Sequence, residues 1–504
     1  MTARSDRHGN RLHSRGGSVA ALVGGAVLPL AFAPFGLFWI APISVALLWL
    51  SWEDCDRRQA FRRGFVFGVA AFLFGTYWTF ISIHEFGQAP VQLAGFLTLG
   101  LVAIMGLYYG LMGYASARWL GLSGPVAWFI ALPGAWVLTE WLRGHLFSGF
   151  PWLSLGYSQT DTPLSSFAPV GGVFLISWVV ALVGGCIAAL VRGRGAVRLG
   201  GAAIAALVLA AGVGLDRLEW SEAEAPLEVA LVQGAIPQEQ KWLPSMLEPT
   251  RDRYLTLSGD HLDARLIVWP EAAIPALRHE EAEFLERAAR ELSEAGVGLI
   301  MGVVERDQTD GHYLNRMIAV GEAEGEYSKR HLVPFGEYFP VPDFVREWMR
   351  LMNLPYTDFV AGDLDQPPLR VDDIALAPSI CYEDAFGREM LTFLPEAGLL
   401  VNASNDAWFG DSIAPHQHLQ IARMRAIEAA RPMLRATNTG VSAIIDHRGG
   451  IVQRSPQFEA HVLRASVRPR IGRTPYVFFS DGLALGLGLA AVFIGLLIGR
   501  PRPV

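Results

Sequence analysis

The sequence predicts an α-helical membrane bundle of eight spans joined to a layered α/β domain outside the membrane. Three observations predict it. Of the 504 residues, 52% are hydrophobic and only 18% charged, whereas soluble domains average about 25% charged. Runs of roughly 20 apolar residues, the length that crosses a bilayer, recur through the first 215 positions and once more near the end. From about 226 to 470 the pattern changes: short Val, Ile and Leu-rich runs alternate with charged helical stretches, as in α/β domains.

The eight apolar segments lie near 18–33, 36–52, 64–83, 91–114, 124–142, 171–191, 197–215 and 482–499. The first two are joined by Pro34-Phe35-Gly36 and read as a tight hairpin. Seven segments thus fall within 1–215, and the eighth follows the extramembrane domain at 482–499. Arginines set the orientation. They cluster at Arg4, Arg7, Arg11 and Arg15, at Arg57, Arg58, Arg62 and Arg63, at Arg118, at Arg192, Arg194 and Arg198, and at Arg500 and Arg502. With eight spans all of these share one side, the cytoplasmic one, and only Arg143 stands out among the opposite loops. Both termini are then inside, and residues 216–478 lie outside. A cleaved signal peptide is the competing reading of the N-terminus. Ala31-Phe32-Ala33 resembles a cleavage site, but Pro34 would follow the cut and a further apolar segment begins at once.

In the outer loop after the fifth segment stand Gly149-Phe150-Pro151-Trp152 and Gly156-Tyr157-Ser158-Gln159. They read either as an interfacial aromatic belt or as a loop packed against the outer domain. In that domain strands are predicted at 227–233, 265–269, 298–304, 315–320, 374–380, 399–403 and 442–446, and helices at 245–262, 280–295, 384–395 and 416–430. The continuous apolar strands imply sheets buried on both faces.

A net charge of −7 gives no sign of nucleic-acid binding. Three widely spaced cysteines, Cys55, Cys186 and Cys381, are no disulfide framework. Cys186 lies in an apolar span and Cys55 in an Arg-rich inner loop, so neither reads as catalytic. Only two of the 41 basic residues are lysines, Lys241 and Lys329. Base composition accounts for most of that bias, yet these two positions kept a compact, titratable ammonium where Arg offers a planar fork.

Chemistry gathers at strand ends. Trp269-Pro270-Glu271 closes one strand and Ser379-Ile380-Cys381-Tyr382-Glu383 another, with Lys329 and Glu337 between them. A thiolate is a strong nucleophile but a free thiol is mostly protonated at neutral pH. A carboxylate in reach can take that proton, and an ammonium can hold the thiolate and then an oxyanion. Glu337 and Glu383 could orient the lysine or the base. Taken singly, each residue has a plainer reading: a core cysteine, a helix-capping glutamate, a solvated lysine. Together in this order they point to a thiol acyl-transfer site. His416 and His418, spaced i, i+2 on a predicted helix, do not share a face, and no metal is expected.

These motifs resemble a known family. Trp-Pro-Glu, Lys before Leu-Val-Pro-Phe-Gly-Glu-Tyr, and Cys-Tyr-Glu resemble the Glu–Lys–Cys set of the nitrilase superfamily. Eight spans around such a domain resemble the apolipoprotein N-acyltransferases, over nearly the whole chain. Further matching motifs are Gly149-Phe150-Pro151-Trp152, Gln233-Gly234 with Pro237 and Lys241-Trp242, and Asn405-Asp406-Ala407-Trp408-Phe409-Gly410. The resemblance implies a periplasmic αββα sandwich on an inner-membrane protein, and ping-pong transfer without a cofactor. A phospholipid acylates Cys381, and the α-amine of a diacylglyceryl-cysteine apolipoprotein then takes the chain. It implies Cys381 as nucleophile, Glu271 as general base, Lys329 as oxyanion stabiliser, and Glu337 and Glu383 as supporting acids. Trp242, Tyr382, Trp408 and Phe409 are implied to line the substrate entry.

Both substrates would be lipids, which is what eight spans are for. The apolar segment 339–359 is long for a connection and is expected to be an arm dipping into the lipid interface, or else a helix packed on the domain core. Two alternatives stand: an amidase releasing the acyl group to water, and a transporter or receptor carrying an inactive enzyme domain. Intact Glu271, Lys329 and Cys381 argue against the second, as does the scarcity of charges in the spans beyond Glu140.

Overall fold

A computed structural model of the chain describes residues 5–307, 311–338 and 359–498. The chain divides into two compact units. The helical one comprises the chain up to Leu218, the segment Asp411–Gln420 and the chain from Phe478. The other comprises Glu219–Gly410 and Ile421–Val477. Residues 339–358, nearly the whole of the expected arm, lie outside the described residues.

In the helical unit, three helices are long and apolar enough to cross a membrane: Val91–Leu120, Pro163–Arg192 and Ala196–Leu215. A fourth crossing exists if Arg57–Gly75 and Trp78–Phe86, bent by 56°, count as one. Three predicted spans are shorter apolar helices, Gly16–Ala31, Ile40–Trp52 and Gly482–Ile498. The remaining one ends in Leu132–His145, which carries the buried pair Glu140 and Arg143. By length and composition, then, three of the described helices, or four with the bent pair, are long and apolar enough to cross. Apolar windows read from sequence run on through the turns and bends that shorten the actual helices.

Burial separates the long helices. Pro163–Arg192 has 78% of its apolar window buried, so it is a core element. Ala196–Leu215 has only 11% buried, with Leu199 74% and Leu207 71% exposed. Outward leucines on this scale fit a face that meets lipid or another protein. The Phe150–Trp152 loop is no surface belt: Trp152 is 1% exposed. Arg143 donates to the carbonyls of Phe150, at 2.6 Å, and of Trp152. The Gln417 side-chain oxygen accepts from the indoles of Trp78 and Trp152 at 3.2 and 3.1 Å.

The second unit holds two large sheets. In the six-stranded one the order is His461–Val467, Leu227–Gln233, Leu266–Val268, Gly298–Arg306, Tyr313–Gly321 and Glu326–Ser328. Its Leu227, Leu266 and Gly298 strands run parallel. In the seven-stranded one the order is Ile451–Arg454, Ala443–Ile445, Met433–Thr437, Leu399–Ser404, Ile374–Ile380, Leu369–Val371 and Ala323–Glu324. The Ile374, Leu399 and Met433 strands are its parallel centre. Those parallel strands are buried almost throughout, as continuous apolar runs require. The helices Leu247–Gly259 and Ala282–Ala295 cover the six-stranded sheet: Tyr254, Phe284 and Leu292 pack on Ile267, Trp269, Leu299 and Met301. The sheets meet through Gln233, whose side-chain oxygen accepts from Ser442 and Ser455 at 2.6 and 2.8 Å.

Parallel strands end on the same side of their sheet, so one sheet edge collects strand termini, where α/β proteins place their sites. The predicted helix 384–395 is instead a 3-10 turn, one helical turn Gly387–Met390, and a second 3-10 turn. Gly387 and Pro395 leave too little uninterrupted chain for a helix.

Candidate active site

Glu271 sits in a turn after the strand Leu266–Val268. The turn is held to the next strand: Gly302 N donates to the Pro270 carbonyl and Ala273 N to the Gly302 carbonyl. Gly302 is required there, since a Cβ would lie 2.6 Å from the Glu271 Cα. The Glu271 carboxylate is nearly buried and accepts from Asn315 Nδ2 at 2.7 Å.

Lys329 follows the strand Glu326–Ser328, with its backbone N–H on the Asn315 carbonyl at 2.8 Å. Its ammonium, 1% exposed, lies 2.9 Å from Glu337 and 3.6 Å from Glu271. Burial opposes its charge, but the carboxylates of Glu337 and Glu271 outweigh that and push its pKa up, so it stays an ammonium. Glu337 is itself oriented by Asn315 Nδ2 at 2.9 Å and by the Val333 N–H at 2.7 Å.

Cys381 opens a 3-10 turn at the end of the strand Ile374–Ile380, with φ of +51°. Non-glycine residues seldom adopt that conformation, and it tends to mark sites. Its thiol pKa is raised, first by burial and then by the negative charge of Glu271, with Lys329 acting the other way. Glu271, Lys329 and Cys381 thus form one electrostatic cluster. The raised pKa favours the thiol form, and a carboxylate is at hand to take its proton.

Glu383 bonds neither the lysine nor the base. Its oxygens accept from Tyr327 Oη (2.8 Å), the N–H groups of Arg330 (2.6 Å) and His331 (3.1 Å), and Ile380 N–H (2.7 Å). It braces the backbone just after Lys329 and just before Cys381. Burial, then Glu389, raises its pKa. Tyr382 is 9% exposed and packs edge-on against Phe386 and His331. Trp242 and Trp408 are exposed. Phe409 is half-buried beside Trp408. The segments bearing the two tryptophans are tied together: Asn405 Nδ2 donates to Gln238 at 2.9 Å, and Asn438 Nδ2 to Asn405 at 3.3 Å.

Sequence reasoning missed three features. Asn315 bridges Glu271 and Glu337, and its signal was an amide inside an apolar strand. Lys241 is buried, with its ammonium 3.3 Å from the Glu271 carbonyl. Its rarity had marked it without a role. Under the cysteine turn, fully buried Arg435 donates to Asp384 (2.8 Å), Asn402 (2.6 Å) and Asp406 (3.0 Å). Asn402 Nδ2 reaches the Ser379 hydroxyl at 3.0 Å. His416 and His418 belong to the helical unit, with the His418 ring 5.7 Å from that of Trp152. Among the described residues no three His, Cys, Asp or Glu side chains converge as a metal site would need.

Residues 24–186 match the family model of the apolipoprotein N-acyltransferase N-terminal domain, and residues 228–476 that of carbon-nitrogen hydrolases. An apolipoprotein N-acyltransferase from Methylococcus capsulatus is 44% identical over 96% of this chain and 96% of its own. The chain belongs to the apolipoprotein N-acyltransferase family. Similar relatives of that name from Pseudomonas aeruginosa and Vibrio vulnificus are 40% and 39% identical, over 97% and 91% of this chain and 97% and 92% of theirs. As a member of the apolipoprotein N-acyltransferase family it is an acyltransferase of lipoprotein biosynthesis, with a nitrilase-type domain on a helical region. Its outward apolar helices agree with an inner-membrane protein.

Proposed function

We propose that the chain moves an acyl chain from a phospholipid to the N-terminal amine of a diacylated apolipoprotein through a thioester on Cys381. As Sγ attacks the ester carbonyl, Glu271 takes the thiol proton. The tetrahedral oxyanion forms beside the Lys329 ammonium. Collapse breaks the ester C–O bond, and the leaving lysophospholipid oxygen takes the proton from Glu271. The α-amine then attacks the thioester carbonyl, again losing a proton to Glu271. The C–S bond breaks, and Sγ recovers that proton as the amide forms. Glu337 holds Lys329 in place, and Glu383 holds the backbone around it. Trp242, Trp408 and Phe409 line the entry for lipid. No step calls for a cofactor. The observation that carries this reading is a buried ammonium between two carboxylates beside a thiol held protonated.

For the membrane part, the proposal is eight passes, the short and bent helices included, with both termini cytoplasmic and residues 216–478 periplasmic. Segments 1–215 and 482–499 form the membrane part and 226–470 the catalytic domain. The test is to incubate the purified chain with acyl-labelled phospholipid and no acceptor. Label should appear on Cys381, be released by neutral hydroxylamine, and be absent in Cys381→Ala. Sustained release of free fatty acid without acceptor would favour the amidase instead.

A further inference from the structure

Glu271 is approached by two ammonium groups, and only Lys329 has a part in the chemistry above. The other, Lys241, ends the short helix Gln238–Lys241. It is 1% exposed, and its Nζ lies 3.3 Å from the Glu271 carbonyl oxygen. The next residue is Trp242, 49% exposed. The same short helix begins with Gln238, which accepts from Asn405 two residues ahead of Ala407-Trp408. One turn of helix therefore joins the exposed tryptophans to the backbone of the base. These two are also the chain's only lysines among 41 basic residues. Both are buried beside Glu271.

We propose that Lys241 is a positioning residue for acyl transfer: a buried positive charge that fixes the Glu271 turn and keeps its carboxylate ready to accept a proton. This rests on Glu271 being the base. Burying an ammonium that makes, among the described residues, a single 3.3 Å bond is unfavourable for folding. Burial pulls the Lys241 pKa down to about 8, against the opposing pull of Glu271. A group placed for stability would not be arranged so; one placed to bias a neighbouring carboxylate would. The charged and titratable groups facing Glu271 are Lys329, Lys241 and Cys381, and Glu337 shares Asn315 with it. Removing one positive charge from this set favours the protonated carboxylate.

The test measures the rate of hydroxylamine-labile labelling at Cys381 against pH, in full-length wild type, Lys241→Met, Lys241→Gln and Lys241→Arg. In the Met and Gln variants labelling should be roughly tenfold slower at pH values below the acid limb, with that limb moved up by about one pH unit. Lys241→Arg should keep the limb in place. The melting temperature of Lys241→Met should not fall below that of wild type. An unmoved limb in both neutral variants overturns the proposal. So does failure of both to fold while Lys241→Arg folds, since that assigns Lys241 to stability. Wild type that takes no label on Cys381 instead overturns the thioester reading, and this inference with it.

Discussion

At the scale of single residues, the site works by keeping charges in one place. Lys329 fills a closed space between Glu271 and Glu337 with a point charge. A guanidinium carries the same charge on a larger planar frame. Lys329→Arg is therefore expected to lower the acylation rate at least about 100-fold, the scale of losing an oxyanion donor, while the protein still folds. Near-normal labelling of Cys381 in that variant would remove Lys329 from the oxyanion role. The cysteine gives a prediction with a definite sign. An ordinary thiol ionises around 9.0, and burial with Glu271 moves Cys381 upward. The thiol form thus dominates through neutral pH, and the thiolate grows only as pH rises. Alkylation of Cys381 by iodoacetamide should still be climbing at pH 9, and a rate that levels off near pH 7 would mean a preformed thiolate. Glu271 and Cys381 were legible in the sequence because their motifs close predicted strands, and Lys329 because it is one of only two lysines and stands between those motifs. Asn315 was not. A side-chain amide in an apolar strand looks like any tolerated polar residue until the strand register brings it opposite two carboxylates.

At the scale of elements, strand ends carry the site and the turns after them set its geometry. Gly302 is where the Glu271 turn touches the next strand. Gly302→Ala pushes that turn away, and a displacement of about 1 Å can cost 10²-fold in rate. The expected result is a loss of Cys381 labelling larger than any change in melting temperature. Equal activity in this variant would show that the turn relaxes freely. Seven strands were predictable as unbroken apolar runs, and each has a counterpart. The strand Met433–Thr437 was not, because Arg435 stands at its centre. Arginine rarely enters a buried strand, and here it does so only because Asp384 and Asp406 neutralise it. Those acids come from two other chain segments, so no local pattern could announce them. Segment 384–395 failed the other way: its helical spacing is real, but Gly387 and Pro395 leave one turn.

For the whole molecule, the decisive quantity is where apolar surface points. Ala196–Leu215 turns Leu207 outward at 71% exposure. If that face meets lipid, Leu207→Asp should cost about 3 kcal/mol on membrane insertion. The variant should then become extractable by alkaline carbonate, or accumulate poorly, while the same change at an exposed position of the outer domain should not. Unaltered membrane retention would place that face elsewhere. Composition made the membrane part legible, since helices that meet lipid need little more than length and apolarity. It gives eight apolar windows, of which three, or four with the bent pair, are helices long and apolar enough to cross. Apolar windows cannot register that a stretch bends by 56° or stops at 13 residues.

The burial of both lysines has a consequence for the acyl-enzyme. A thioester is an activated acyl group, and exposed lysine amines near it would be acceptors. This chain has no exposed lysine side chain: Lys329 is locked as an ammonium by two acids, and Lys241 is sealed against the Glu271 backbone. Arginine, which supplies every other basic position, is not an amine nucleophile at ordinary pH. On the thioester reading proposed above, the loaded enzyme is therefore guarded against self-acylation on lysine.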